Sequence, residues 1–147
     1  MLIFKIVKHS ELNSFGKYIS LLLVLIIGTS FSTRQSIDWT YPNTVKEIDK
    51  LIESSKKKPV LFFKHSNKCG LSEMIFDDFK KEWKLSRDEV KMVFIEVNTK
   101  RSLANYIESV SGYRHHSPQV IIYKDEKVVY QKTHGKIKVK DIEAVVK

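Results

Sequence analysis

Residues 60–72, VLFFKHSNKCGLS, decide the fold. The stretch begins with four apolar residues, Val60 to Phe63, that lie between Pro59 and a polar segment, which is typical of a buried β-strand. The polar segment ends at Cys69, and the residues after it are apolar at helical spacing. We therefore expect a strand, a short turn and a helix, with the only cysteine of the chain at the junction.

Helices and strands alternate on both sides of this unit. Helices are predicted from a cap at Asn43 or Thr44 to the lysines before Pro59, and over residues 69–84, 102–110 and 139–146. Strands are predicted over 60–63 and 91–97, and a β-hairpin over 119–123 and 127–131. The apolar positions expected on buried helix faces are Val45, Ile48, Leu51 and Ile52, then Leu71, Ile75, Phe79 and Trp83, and then Leu103, Ile107 and Val110.

This order of elements predicts the α/β class. Two strands joined through a helix form a parallel pair, and the hairpin adds two antiparallel strands. The result is a small mixed β-sheet of four strands flanked by helices on both faces. That is the layout of the thioredoxin-like fold.

Residues 1–38 differ in kind from the rest of the chain. They contain the apolar run 18–31, which follows several lysines, and small residues such as Ser30 and Ser32 offer cleavage points. This pattern is typical of a secretory signal, since a membrane span needs about 20 apolar residues. An uncleaved anchor that associates the protein with a membrane, and a start codon assigned too far upstream, are the competing interpretations. The folded domain is expected over 39–147, a length that supports one ordinary core.

Charge and cysteine content exclude several classes of protein. The net charge is +9, and the leader holds four of the bases and two of the acids, so the domain keeps +7. Because acidic residues are interspersed with the lysines, we interpret this excess as a solvated surface and expect no nucleic-acid partner. A single cysteine allows neither an intramolecular disulfide nor a cysteine-rich zinc site.

Cys69 is the candidate nucleophile. A sulfur at the start of a helix faces free backbone N–H groups and the positive end of the helix dipole, which favour the thiolate. Lys64, His65 and Lys68 lie close in sequence, and any of them can add positive potential. A lone cysteine is more often a small buried hydrophobe, but the polar turn around Cys69 argues against that interpretation.

Ser72 and Pro118 are expected beside Cys69. Ser72 occupies the place of the second cysteine in a Cys-x-x-Cys pair, where a hydroxyl can donate a hydrogen bond to the thiolate but cannot form a disulfide. Pro118 precedes the third strand, where thioredoxin-fold proteins place a cis-proline that faces the redox cysteine. Its missing N–H would leave the backbone of Ser117 free to pair with an extended substrate. A first-turn serine and a trans-proline without these roles are the ordinary alternatives.

The histidines do not predict a metal site. His115 and His116 are adjacent, so they point to different sides of an extended chain, and no cysteine or carboxylate stands at zinc-finger spacing. We expect one of the two to line the thiol site and the other to be solvated, without assigning which is which.

Four strings in order resemble a known family. They are FFKHS with CGLS (62–66 and 69–72), RSLANYI (101–107), RHHSPQV (114–120) and Thr133-His134. Together they resemble the monothiol bacilliredoxins of the YtxJ type. The resemblance covers roughly residue 39 to the C-terminus. One departure is Gly70, since the family usually has proline directly after the cysteine.

The resemblance implies a role as a thiol-disulfide oxidoreductase that removes bacillithiol, or a similar small thiol, from mixed disulfides on client proteins. Cys69 is then the nucleophile, Ser72 the hydrogen-bond donor to the thiolate, and Pro118 the cis-proline that positions the substrate backbone. The supporting or substrate-binding residues are Lys68, His65, Gly70, Arg114, His115 and Ser117. No bound cofactor is expected; the small thiol is a co-substrate, and S-thiolated proteins are the partners.

Two questions stay open at this level. A redox-inactive thioredoxin-fold module that binds or scaffolds other proteins, in solution or at a membrane, is the alternative function. The location is also undecided, because the family implies a reducing cytoplasm whereas the leader indicates export or anchoring.

Overall fold

The computed structural model describes residues 36–147. The apolar run 18–31, and all but the last three residues of the expected leader 1–38, lie outside this part of the chain. Within it, no helix is long and apolar enough to cross a membrane.

The described chain alternates between strands and helices. In order, the elements are β1 (Trp39–Thr40), α1 (Val45–Ser54), β2 (Val60–His65), α2 (Gly70–Glu82), β3 (Lys91–Glu96), α3 (Arg101–Ser111), β4 (Gln119–Lys124), β5 (Lys127–Thr133), a short 3-10 helix (His134–Lys136) and α4 (Val139–Val146). Every predicted helix and strand is present, with ends shifted by a few residues at most. Thr44 caps α1, since its side chain accepts a hydrogen bond from the N–H of Glu47.

One mixed sheet organises these elements, with strands in the order β1-β3-β2-β4-β5. β2 and β3 are parallel, and β4 pairs antiparallel with both β2 and β5. The predicted α/β thioredoxin fold is therefore confirmed, but the prediction of four strands is wrong by one. The fifth strand, β1, escaped detection because it has only two residues, too few for any alternation of polar and apolar side chains.

Two hydrophobic clusters fill the space between the sheet and its helices. α2 and α4 cover one face together with Leu61 and Phe63, and α1 and α3 cover the other with Val60 and Phe62. Neighbouring residues of β2 thus point to opposite faces, as the pleat of a strand requires. This alternation decides which side chains of β2 can reach the helix that follows Cys69.

Three residues expected on buried helix faces are exposed instead: Val45 at 38%, Leu71 at 44% and Val110 at 41%. Each lies in the first or last turn of its helix. Leu71 shows the reason, because a spacing of four residues advances about 40° beyond a full turn at each step. A series that places Ile75 and Phe79 in the core therefore carries Leu71 away from it.

Candidate active site

Cys69 is the N-cap residue of α2 and is partly exposed. Its backbone is extended, with φ −124° and ψ 108°. Within the described residues, the N–H groups of Gly70, Leu71 and Ser72 donate no hydrogen bond to a backbone or side-chain acceptor. Free N–H groups and the helix dipole make this position favourable for an anion such as a thiolate.

A network of hydrogen bonds holds the turn that presents Cys69. The carbonyl of Ser66 accepts from the N–H of Cys69 at 3.3 Å, and the hydroxyl of Ser66 accepts from Asn98 Nδ2 at 3.0 Å. Asn98 also donates to Asn67 Oδ1 at 2.9 Å, and Glu96 accepts from the N–H of Asn67 at 3.2 Å. Sequence reasoning missed Asn98 and Glu96, because Glu96 ends β3 and Asn98 follows it, about thirty residues after the turn in the chain.

Ser72 is fully buried, and its hydroxyl is engaged elsewhere than predicted. Its Oγ accepts from the N–H of Ser66 at 3.0 Å and lies 3.0 Å from Nδ1 of His65. Among the described residues it forms no hydrogen bond with Cys69. The hydroxyl instead bonds to the backbone of the turn and to a side chain of β2.

His65 joins Ser72 to the surface. The residue is 4% exposed. Its ring packs against those of Phe76 and Phe94, with centroids 5.0 and 5.4 Å away. Nε2 of His65 lies 3.2 Å from Oε2 of Glu73, whose side chain is 55% exposed. His65 therefore supports the site from inside the core, and Glu73, which sequence reasoning missed, completes a chain of polar groups from solvent to Ser72.

Pro118 lies at the same end of the sheet as Cys69. The Ser117–Pro118 bond is cis, as predicted. Gln119 stands opposite Lys64 in the β2–β4 pairing, so Pro118 comes next to the end of β2, from which the Cys69 turn starts. The carbonyl of Pro118 accepts from the N–H of His134 at 3.0 Å, which brings the 3-10 helix to the same edge.

Gln119 holds the segment that leads to Pro118. This buried side chain donates to the carbonyl of Arg114 at 3.0 Å and accepts from the N–H of His116 at 3.4 Å. Arg114 itself is exposed, and the buried Oγ of Ser117 has no hydrogen-bond partner in the described structure. The predicted substrate-binding segment 114–117 is thus positioned by a residue that the sequence did not single out.

His115 lies over the other face of the sheet, among the side chains that accompany α3. Its ring Nε2 is 3.5 Å from Nη1 of Arg101, and its backbone N–H donates to Oε2 of Glu108 at 3.0 Å. Burial lowers the pKa of His115 to about 4, and the charges of Lys64 and Arg101 contribute. His116 is exposed and meets the ring of His134 edge to face at 5.4 Å.

The two remaining predicted residues, Lys68 and Gly70, flank Cys69 in the sequence. Lys68 is exposed in the turn, and its N–H donates to the Ser66 hydroxyl at 3.3 Å. Gly70 is the first residue of α2, and a Cβ built there would meet nothing within 4 Å. Nothing in the structure therefore requires glycine at this position. Among residues 36–147, no three His, Cys, Asp or Glu side chains converge as a metal site would need.

Comparison with known protein families agrees with this geometry. The model of the monothiol bacilliredoxin family, BrxC, matches residues 42–142, which is more than half of the chain. The chain belongs to the monothiol bacilliredoxin family. The match includes Cys69, Ser72 and the Ser117–Pro118 pair.

Solved structures place this bacilliredoxin among thioredoxin folds. A structure described as a proposed oxidoreductase with a thioredoxin fold is 25% identical, covers 74% of this chain and 94% of its own, and superposes with a TM-score of 0.63. Thioredoxin from Malassezia sympodialis is 14% identical, and the superposition covers 80% of this chain and 95% of that thioredoxin with a TM-score of 0.60. Thioredoxin f from spinach chloroplast, 23% identical, covers 74% and 84% with a TM-score of 0.55. The first likeness and the family together support a thiol oxidoreductase, and the other two show the fold.

Proposed function

We propose that this protein removes bacillithiol, or a closely similar small thiol, from mixed disulfides on client proteins, with Cys69 as the nucleophile. The observation that carries the proposal is the placement of the chain's only cysteine at the N-cap of α2, at the same end of the sheet as Pro118, in a member of the monothiol bacilliredoxin family.

The reaction is two thiol–disulfide exchanges. In the first, the Cys69 thiolate attacks the small-thiol sulfur, the mixed disulfide breaks, and the client leaves as a thiolate that takes a proton from water. In the second, the thiolate of another small-thiol molecule attacks the same sulfur. That step releases the symmetrical small-thiol disulfide and regenerates the Cys69 thiolate. An external thiol is needed because position 72 carries a serine that cannot resolve the intermediate.

The test uses a client with one cysteine that carries bacillithiol as a mixed disulfide, followed by intact-protein mass spectrometry. Without free bacillithiol, one equivalent of the wild-type protein should take one bacillithiol from the client and carry it as an adduct on Cys69. Added bacillithiol should make the reaction catalytic. Cys69→Ser should transfer nothing, whereas Ser72→Ala should retain a slower reaction because it keeps the nucleophile.

Two results would contradict the proposal. Full de-thiolation by Cys69→Ser would remove the nucleophile assignment. A wild-type protein that leaves the client modified, while its Cys69 reacts with iodoacetamide no faster than a free peptide thiol at pH 7, would favour the redox-inactive binding module. The same client modified with glutathione serves as the comparison that identifies the small thiol.

A further inference from the structure

A continuous line of polar groups runs from the protein surface to the residue one helical turn after Cys69. It consists of the Glu73 carboxylate, the His65 imidazole and the Ser72 hydroxyl, with separations of 3.2 and 3.0 Å. Ser72 is 0% exposed and His65 is 4% exposed, while Glu73 reaches solvent. Nothing in thiol exchange at Cys69 alone requires a buried imidazole here.

The chemistry of the three groups determines where the protons lie when His65 is neutral. A carboxylate only accepts hydrogen bonds, so the imidazole proton belongs on Nε2, facing Glu73. Nδ1 is then an acceptor, and the Ser72 hydroxyl must donate to it. One lone pair of Ser72 Oγ already accepts from the N–H of Ser66. In this state the Ser72 proton is directed at His65 and is not available to Cys69.

Protonation of His65 reverses the direction of that hydrogen bond. Nδ1 then carries a proton and donates to Ser72 Oγ, which accepts from His65 and Ser66 together. The hydroxyl keeps its own hydrogen, which no longer points at His65 and can be donated to a third acceptor. Cys69 is the N-cap and Ser72 the third residue of α2, so the two side chains belong to one helical turn, and the Cys69 side chain makes no capping hydrogen bond of its own. The thiolate is thus an acceptor within the same turn.

We propose that Glu73 and His65 act as positioning residues that direct the Ser72 hydroxyl, so that protonation of His65 turns it from the imidazole to the Cys69 thiolate. This inference rests on the proposed role of Cys69 as nucleophile. A hydrogen bond to the thiolate stabilises it both as the resting nucleophile and as the leaving group of the recycling step. The proton that enters at His65 comes from solvent and returns there, so no other reactant is needed.

Acidic side chains come near His65 from two elements. Glu73 and Asp77 project from α2, and the charge of His65 contributes to the lowered pKa of Asp77, after the larger effect of Lys80. Glu96 stands opposite His65 on β3, and its carboxylate bonds to Asn67 and Asn98. On the β4 side, the next residue in the register is the uncharged Pro118.

The rate of Cys69 alkylation by iodoacetamide between pH 5 and 9 tests this device without client or bacillithiol. A thiol that ionises alone loses rate tenfold per pH unit on the acidic side. The wild-type protein should show a shoulder there, with a rate about four- to fifteenfold above that line, because the added hydrogen bond increases the thiolate fraction more than it lowers its nucleophilicity. Histidine side chains ordinarily change charge between about pH 5 and 8, within the range measured.

Ser72→Ala separates the hydroxyl from a direct charge effect, since it keeps His65 and removes only the oxygen. The shoulder should disappear in Ser72→Ala and move to lower pH in Glu73→Gln, where the carboxylate that favours the charged ring is lost. Glu82→Gln, the same change at an exposed position of the same helix, should leave the profile unchanged. A wild-type profile without the shoulder, or a shoulder that persists in Ser72→Ala, would overturn the proposal.

A second measurement uses the wild-type protein alone and does not depend on any variant being folded. Nitrogen-15 chemical shifts of the His65 ring should show the neutral form with its proton on Nε2. A neutral ring protonated on Nδ1 would contradict the proposal, because the Ser72 hydroxyl could then not donate to Nδ1. Failure of de-thiolation with the shoulder intact would instead reject only the proposed client reaction.

Discussion

Lys64 is a lysine in the middle of the core. It is 0% exposed, and its Nζ donates to the carbonyl of Ala104 in α3 at 3.2 Å. Burial lowers its pKa to about 8. The alternation along β2 points it to the face that α3 covers, away from the face on which α2 packs. The expectation that Lys64 adds positive potential beside Cys69 therefore does not hold, and its charge acts on His115 instead.

This burial predicts a stability that depends on pH. Between about pH 8 and 10.5 the unfolded chain binds a proton at Lys64 that the folded chain has released, so the free energy of unfolding should rise with pH in this window. The gain should reach about 1–3 kcal/mol in urea denaturation between pH 7.5 and 9.5. Lys64→Met should lose this increment. Parallel pH curves for the two proteins would show that Lys64 is not responsible.

At the scale of elements, two glycines stand at helix ends and differ in backbone conformation. Gly70 begins α2 in open space, with no unusual backbone angle. Gly112 follows α3 with φ +74°, in the left-handed region, and its N–H donates to the carbonyl of Glu108 at 3.0 Å. Only the second position uses the conformational freedom of glycine.

Alanine at these two glycines should therefore change stability in opposite directions. Gly70→Ala should raise the free energy of unfolding by about 0.4–1 kcal/mol, because it restricts the unfolded chain at a site that an L-residue fits. Gly112→Ala should lower it by about 1 kcal/mol, because its φ is strained for alanine. Urea denaturation of both variants at pH 7 provides the comparison. Equal signs would contradict the assignment of the helix ends.

Proline also fits at position 70, which is the first residue of α2 and donates no hydrogen bond within the described structure. The extended backbone of Cys69 is close to the conformation that a residue before proline adopts. The backbone at position 70 is therefore compatible both with the glycine of this chain and with the proline that is usual in the family.

At the scale of the whole molecule, Trp39 connects the short edge strand to the core. Its ring meets those of Phe63, Phe76, Phe79 and Phe94, with centroids 5.5–6.2 Å away. These four rings come from β2, α2 and β3, which also carry the Cys69 turn. β1 lies just before residue 42, where the family match begins. Residues that precede the match therefore stabilise the domain.

Trp39→Ala should lower the free energy of unfolding by about 2 kcal/mol, less than for a fully buried tryptophan because the ring is partly exposed. Tyr41→Ala is the matched control, since Tyr41 is 62% exposed and touches only Phe94 among the aromatic rings of the described part. It should cost under about 1 kcal/mol. Guanidinium denaturation followed by circular dichroism measures the free energy of unfolding of both variants. Similar losses in the two would contradict the assignment of Trp39 to the core.

The sequence by itself determined the elements, the α/β fold and the position of Cys69 at a strand-to-helix junction, because periodicity and turn residues are local signals. The tertiary structure alone decided which side chains meet. Asn98 and Gln119 hold the turn and the proline segment across long stretches of chain, and Glu73 and His65 bracket the site from two elements. Such contacts depend on sheet register and on the direction of each side chain, which no local pattern in one sequence specifies.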